Sequence, residues 1–243
     1  MKRTYADLHL CPNLKNPKQT ENMIKKSRRL GYHLIAIPLP LSSVEEEVEW
    51  LRRMCKEAKI DFVSRVDLKP KTSRELLKDL RGLRRKVEII AVTCESKQVA
   101  RQAAKDHRVD ILSFPTELRK RFFDRAEAEL ASKTTVSLEI DVKPLITLKG
   151  KPRIRLLSAL RRETAIAKSF QVPVILSSGA TEESLMRKPR ELAALASLFD
   201  MDKSSAIEAT SSNPTSIVKR NRSKLSSNFV APGIRIVRRG KDC

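Results

Sequence analysis

The sequence predicts an α/β fold: a (β/α) barrel of seven or eight mostly parallel strands. Two observations carry this. Short apolar runs alternate with longer charged runs of helical period along 243 residues, and such alternation implies parallel strands joined by right-handed helical crossovers. The apolar runs are continuous, as in Ile89-Ile-Ala-Val92, which is the pattern of strands covered on both faces. The length agrees, since one barrel of this kind takes roughly 250 residues. An open doubly wound sheet is the alternative with the same element order.

The strands are expected at Arg3–Leu10, His33–Pro38, Ile60–Leu68, Val87–Val92, Val109–Phe114, Thr135–Val142 and Val174–Leu176. Each is rich in Val, Ile and Leu and is bounded by Pro, Ser or charge. Helices are expected between them. Lys18–Leu30 ends at Gly31, a good residue to follow a helix. Val44–Ala58 follows Ser42-Ser43 and carries Glu45 to Glu47 in its first turn, where negative charge suits the dipole. Ser73–Arg84, Ser96–Asp106, Leu118–Ala131, Ile154–Phe170 and Pro189–Phe199 continue the series, with Ser204–Thr210 and Thr215–Lys224 after it. The barrel is expected to span residues 1–215. A basic C-terminal helix and tail, 216–243, would follow, in which 233–237 could form a short edge strand.

Charge sets the class of partner. The chain carries 50 Lys and Arg against 29 Asp and Glu, a formal +21, and its pI is about 10.2. Such a surplus repels itself in the compact state. It suits a polyanionic partner that releases counterions on contact, which points to nucleic acid. Aromatic residues are only 4%, too few for base-stacking platforms, so shape and phosphate reading is expected. Hydrophobic residues at 40% exclude a merely disordered basic chain. No run approaches the roughly 20 apolar residues that span a bilayer, and no membrane partner is expected. Cys11, Cys55, Cys94 and Cys243 form no short-spaced pair, which excludes the usual zinc spacings and suits a reduced, cytoplasmic chain.

A set of strand-to-helix junctions then points to a family. They read Tyr5-Ala-Asp-Leu-His-Leu, Cys94-Glu-Ser, Val99-Ala-Arg-Gln-Ala, Arg108-Val-Asp-Ile-Leu-Ser-Phe-Pro115, Asp124-Arg-Ala126, Val136-Ser-Leu-Glu-Ile140, Lys143-Pro-Leu145, Val174-Ile-Leu-Ser-Ser-Gly-Ala180 and Lys188-Pro-Arg-Glu-Leu192. In order and spacing, over roughly 3–215, these resemble the RNase P protein component 3 family, in its archaeal form. The resemblance implies a TIM-barrel-like fold related to the PHP phosphoesterases. It also implies a ribonucleoprotein that removes the 5′ leader of precursor tRNA. In that particle the RNA carries the chemistry, Mg²⁺ enters through the RNA, and the barrel pairs with a small α/β protein subunit.

No catalytic residue and no metal site is expected in the protein itself. PHP enzymes open with a His-x-His motif, and here the matching segment is Asp7-Leu8-His9. The chain has three histidines, His9, His33 and His107, too few for a His-rich multinuclear site. Asp67, Glu139 and Asp141 could supply carboxylates near strand ends. A PHP-like metal-dependent phosphoesterase is therefore the alternative function, and a general basic scaffold for any nucleic acid is a third.

Nine residues are candidate RNA contacts, and Lys120 is an alternative match for one of them. The resemblance singles out Arg101, Arg190, Lys133 and a basic residue near Arg119, with Lys120 and Arg121 as neighbouring matches. Ser177 and Ser178, in a Gly-containing turn after the seventh strand, could bind a phosphate through backbone N–H groups or could simply cap the next helix. Lys219 and Arg220 open a tail with eight basic residues and one acid, Asp242, which could order on RNA. The Val44–Cys55 helix is more acidic and is expected to face solvent or a protein partner.

Overall fold

The structure, a computed structural model, describes residues 3–41, 44–231 and 234–236. Seven parallel strands form one sheet in sequence order: β1 (Ala6–Asp7), β2 (Leu34–Pro38), β3 (Asp61–Leu68), β4 (Ile89–Thr93), β5 (Ile111–Ser113), β6 (Ser137–Asp141) and β7 (Val174–Ser177). Between them run α1 (Pro17–Leu30), α2 (Val44–Glu57), α3 (Ser73–Leu83), α4 (Lys97–Lys105), α5 (Arg125–Ser132), α6 (Lys143–Thr147) and α7 (Gly150–Ser169). After β7 come α8 (Pro189–Leu195), α9 (Lys203–Ala209) and α10 (Ser212–Leu225). This is a TIM-like α/β barrel, nearly closed. The main sheet has seven strands among the described residues.

The seam between β7 and β1 is joined just past the strand ends. Gly179 N–H donates to the His9 carbonyl at 2.9 Å, and Cys11 N–H donates to the Ala180 carbonyl at 2.9 Å. At the other end Ala6 N–H donates to Thr210, at the close of α9, at 3.1 Å. Gly179 has φ +59°, and a Cβ there would meet Asp141 Cγ at 3.1 Å, so both conformation and space call for glycine.

Strand side chains alternate between two cores, as period 2 dictates. The outer core lies between sheet and helices and includes Ile35, Ile37, Val66, Ile90, Val92, Leu112 and Leu138. The inner one fills the barrel and contains Leu8, Leu34, Ala36, Val63, Ile89, Ala91, Ile111 and Ile175, with Ile217 and Val218 of α10. Helix α10 thus plugs the end of the barrel where the strands begin. The boundary expected between 215 and 216 falls inside α10, whose Ile217, Val218 and Asn221 are buried against the barrel.

Local chemistry explains where elements start and stop. Gly31 follows α1 with φ +99°. The helix expected over Leu118–Ala131 is instead a 3₁₀ turn at Leu118–Lys120 and a separate α5. Asp124 caps α5, accepting from Ala126 and Glu127, while Glu127 accepts from Asp124 N–H. That capping box fixes a helix start that apolar periodicity alone had run through. Helix α7 begins at Gly150 rather than Ile154, because Pro152 is tolerated in a first turn. Helix α6 was not expected. The C-terminal edge strand is partly outside the described residues; Ile234–Arg235 forms β9, antiparallel to β8 (Phe229–Ala231).

Candidate functional site

The carboxyl ends of the strands open into a cavity of about 600 Å³, lined by His9, Asp67, Thr93, Ser113, Glu139 and Asp141 among others. In barrels of this class that end carries function. Its floor is built from inward positions on three strands. Arg65 and Asp67 stand two apart on β3, Glu139 and Asp141 two apart on β6, and Ser177 ends β7. Period 2 therefore brings them to one face at one level.

Arg65 is fully buried at the centre. Its guanidinium donates to Glu139 Oε1 at 2.7 Å and Oε2 at 2.6 Å, to Asp67 Oδ1 at 2.6 Å and to the Leu8 carbonyl at 2.6 Å. Glu139 Oε1 also accepts from Ser177 Oγ at 2.7 Å. His9 lies above this pair. Its Nδ1 donates to Asp141 Oδ1 at 2.8 Å and its Nε2 to Asp67 Oδ2 at 3.0 Å. Both ring nitrogens facing carboxylates means imidazolium.

The electrostatics agree. Burial and the Arg65 charge push the His9 pKa down, but Asp141 and Glu139 outweigh them and hold it well above the ordinary histidine value. Burial would raise Asp67, yet Arg65 and His9 keep its carboxyl far below the usual range. Burial also disfavours a charged Arg65, and Asp67 and Glu139 reverse that. Asp7 sits just below. Burial raises its pKa, opposed in part by the Ser178 and His9 amides that donate to its Oδ1 at 3.0 and 3.2 Å.

His9, Glu139 and Asp141 bring donor atoms within 4.8 Å of one another, the spacing a metal ion would need. The donors do not fit one as they stand. Both oxygens of Glu139 are committed to the Arg65 guanidinium, and both nitrogens of His9 are committed as donors to carboxylates. An ion would have to displace an internal cation held by bidentate bonds, the strong kind.

The nine candidate RNA contacts separate sharply. Arg101, Arg119, Lys133, Arg190 and Lys219 are exposed. Of these, Arg101 leans on Glu127 at 3.3 Å and Lys133 on Glu129 at 2.8 Å. The Glu127 pKa is pushed up to about 7 by burial and by the Asp124 hydrogen bond. The other four are corrected by their surroundings. Arg121 is almost wholly buried, paired with Glu163 and donating to the Phe114 and Pro115 carbonyls at 3.1 and 3.0 Å. Ser177 is spent on Glu139, and Ser178 N–H on Asp7, with its Oγ toward the His9 carbonyl at 3.3 Å. Both serines are buried, so neither presents a group to a phosphate. Arg220 pairs with Asp110 at 3.1 Å and donates to the Thr135 carbonyl at 3.2 Å, at the plugged end of the barrel.

Sequence reasoning missed Arg65. Its signal was present: an Arg inside the run Phe62-Val-Ser-Arg-Val66, in a strand covered on both faces, must find carboxylates at its own level. It also passed over Lys149, Lys151, Arg153 and Arg155, the corner between α6 and α7.

Comparisons with known proteins cover nearly the whole chain. The family model for RNase P subunit p30 matches residues 4–226, which includes α10. The ribonuclease P protein component 3 of Methanococcoides burtonii is 30% identical over 236 residues, 96% of this chain and 94% of that protein. That of Methanosarcina mazei is 27% identical over 230 residues, 95% and 93% of the two chains. A chain in the cryo-EM structure of archaeal ribonuclease P with mature tRNA superposes with a TM-score of 0.84 at 26% identity, covering 97% of this chain and 99% of that one. No helix among the described residues is long and apolar enough to cross a membrane.

Proposed function

This chain belongs to the RNase P subunit p30 family and is a protein subunit of ribonuclease P, the ribonucleoprotein endoribonuclease of tRNA 5′ maturation, and we propose that within it the barrel is a non-catalytic scaffold. It binds the catalytic RNA, neutralises phosphates, and meets precursor tRNA only through the assembled particle. The Mg²⁺ of the reaction is held by the RNA. A small α/β protein subunit docks on the outer helices, and the particle works in the cytoplasm.

One observation carries the non-catalytic reading: the polar groups at the barrel mouth are paired with one another. A general acid or base needs a free group near its working pH, and a metal site needs uncommitted donors. Here Arg65 and His9 take up Asp67, Glu139 and Asp141. What remains for a partner is the excess of positive charge outside.

Cleavage assays test this. The purified chain with Mg²⁺ or Mn²⁺ is expected to leave precursor tRNA intact. Adding it, with the small protein subunit, to a ribonuclease P RNA transcript is expected to lower the Mg²⁺ needed for 5′ cleavage. Metal-dependent hydrolysis by the polypeptide alone, abolished by the Asp67→Asn, Asp141→Asn double change, would overturn the reading.

A further inference from the structure

We propose that the corner between α6 and α7, formed by Lys149, Lys151, Arg153 and Arg155, is the face of the barrel that grips an RNA phosphate backbone. The proposal rests on the ribonuclease P reading only for which RNA is gripped.

Between Asp141 and Glu163 the chain has seven basic residues and no acid. Four of them crowd into Lys149–Arg155, around the start of α7. Lys149, Lys151 and Arg155 are exposed and Arg153 is partly so. No carboxylate among the described residues pairs with any of the four. Five arginines are by contrast spent within the protein: Arg65, Arg84, Arg121, Arg220 and Arg222 are all in ion pairs.

Folding does not explain these four. Cations near a helix N-terminus oppose the macrodipole. Lys151 and Arg155 are also four apart, where like charges repel. The arrangement costs helix stability, and a polyanion would repay it. In their midst Ile154 is 64% exposed, so none of the described residues covers it.

Position supports the same conclusion. Leu156 and Leu160 of α7 line the mouth cavity together with Lys143, and the corner lies at the start of that same helix. The 3₁₀ turn bearing exposed Arg119 packs against α7. Lys143 borders the mouth and Arg119 stands on a turn packed against the same helix as the corner. Arg supplies bidentate phosphate contacts and Lys point charges, and the surface lacks the aromatic side chains that base stacking would use.

The experiment measures binding of the full chain to a ribonuclease P RNA transcript across a KCl series. It compares the wild type with two variants that each lose four charges from exposed helical surface. One is K149A/K151A/R153A/R155A. The other, on α3 and just after it, is R74A/K78A/R81A/R85A, which controls for net charge. Circular dichroism and the melting temperature confirm that both are folded. The α7 variant is expected to lose about three units of the slope of log K against log salt, as roughly one unit per phosphate contact implies. At physiological salt its affinity should fall at least about tenfold below that of the α3 variant. Equal slopes and affinities for the two variants, with the wild type binding, would overturn this surface and leave the subunit assignment standing. Unchanged RNA affinity with loss of protein-subunit assembly would also overturn it, in favour of a protein partner. If the wild type itself fails to bind, the RNA-binding role falls, and this surface with it.

Discussion

The two ends of the barrel use the same chemistry, arginine on carboxylate, to opposite effect. Where the strands begin, Asp61, Glu88 and Asp110 stand at or just before β3, β4 and β5. Arg222 of α10 reaches Asp61 at 2.6 and 2.8 Å, the Glu88 carboxylate at 2.5 Å and the Phe62 carbonyl at 2.9 Å. Arg220 and Arg84 share Asp110 at 3.1 and 2.7 Å, and buried Asn221 donates to the Glu88 carbonyl at 2.8 Å. Ile217 and Val218 close the apolar interior beneath them. The arginines here come mostly from a helix far along the chain, and they seal the end.

Where the strands finish, the arginine comes from the sheet itself. Arg65 neutralises the acids from within and leaves an open cavity above. The lesson is that a charge count alone does not say which cations are available; their pairing does. The plugged end spends Arg220 and Arg222 on carboxylates, while Lys149, Lys151, Arg153 and Arg155 around the start of α7 have no such partner among the described residues.

Substitutions can break this comparison. The largest effect is expected at the open end. Arg65→Leu leaves Glu139 buried without its partner, and removing one member of a buried pair costs about 3–5 kcal/mol; chemical denaturation reads it. At the plugged end Ile217→Ala opens a cavity, with an expected loss of about 2–4 kcal/mol. If Ile217→Ala proves the costlier, the interior is held mainly by α10 and the Arg65 cluster is secondary.

A pH series gives the finest test. His9 titrates higher in the folded than in the unfolded chain. Its contribution is complete below about pH 6.5 and is lost as pH rises through the folded value. Stability should therefore decline above about pH 6.5, at up to about 1.4 kcal/mol per pH unit. His9→Asn should flatten that decline in thermal melts. Asp67 works in the opposite sense: its depressed pKa adds stability above about pH 3.8 that fades as pH falls further. A pH dependence unchanged in His9→Asn would show that the imidazolium is not what the mouth is built around.

Much of the fold could be read in advance because it is local. All seven parallel strands lie where continuous apolar runs stand, most within two or three residues at each end. The first is the outlier: only Ala6–Asp7 of Arg3–Leu10 pairs as strand. Gly31 stops α1 through its own backbone freedom. Even the break at Asp124 was written locally, as Asp three residues before Glu127. The site was legible only in pieces. His9, Asp67, Glu139 and Asp141 could each be placed near a strand end, but what they touch depends on strands β1, β3 and β6 meeting across the barrel.

The sequence by itself determined the alternation of strands and helices, where the strands lie and the excess of positive charge, because alternation, apolar runs and net charge act through neighbours or through sums. Only the tertiary structure decided which basic residues are available. Arg121 and Arg220 look like Arg153 in a sequence, but two are buried or paired through residues 42 and 110 positions away. A cation's availability depends on the nearest carboxylate in space, and the closure of the barrel sets that distance.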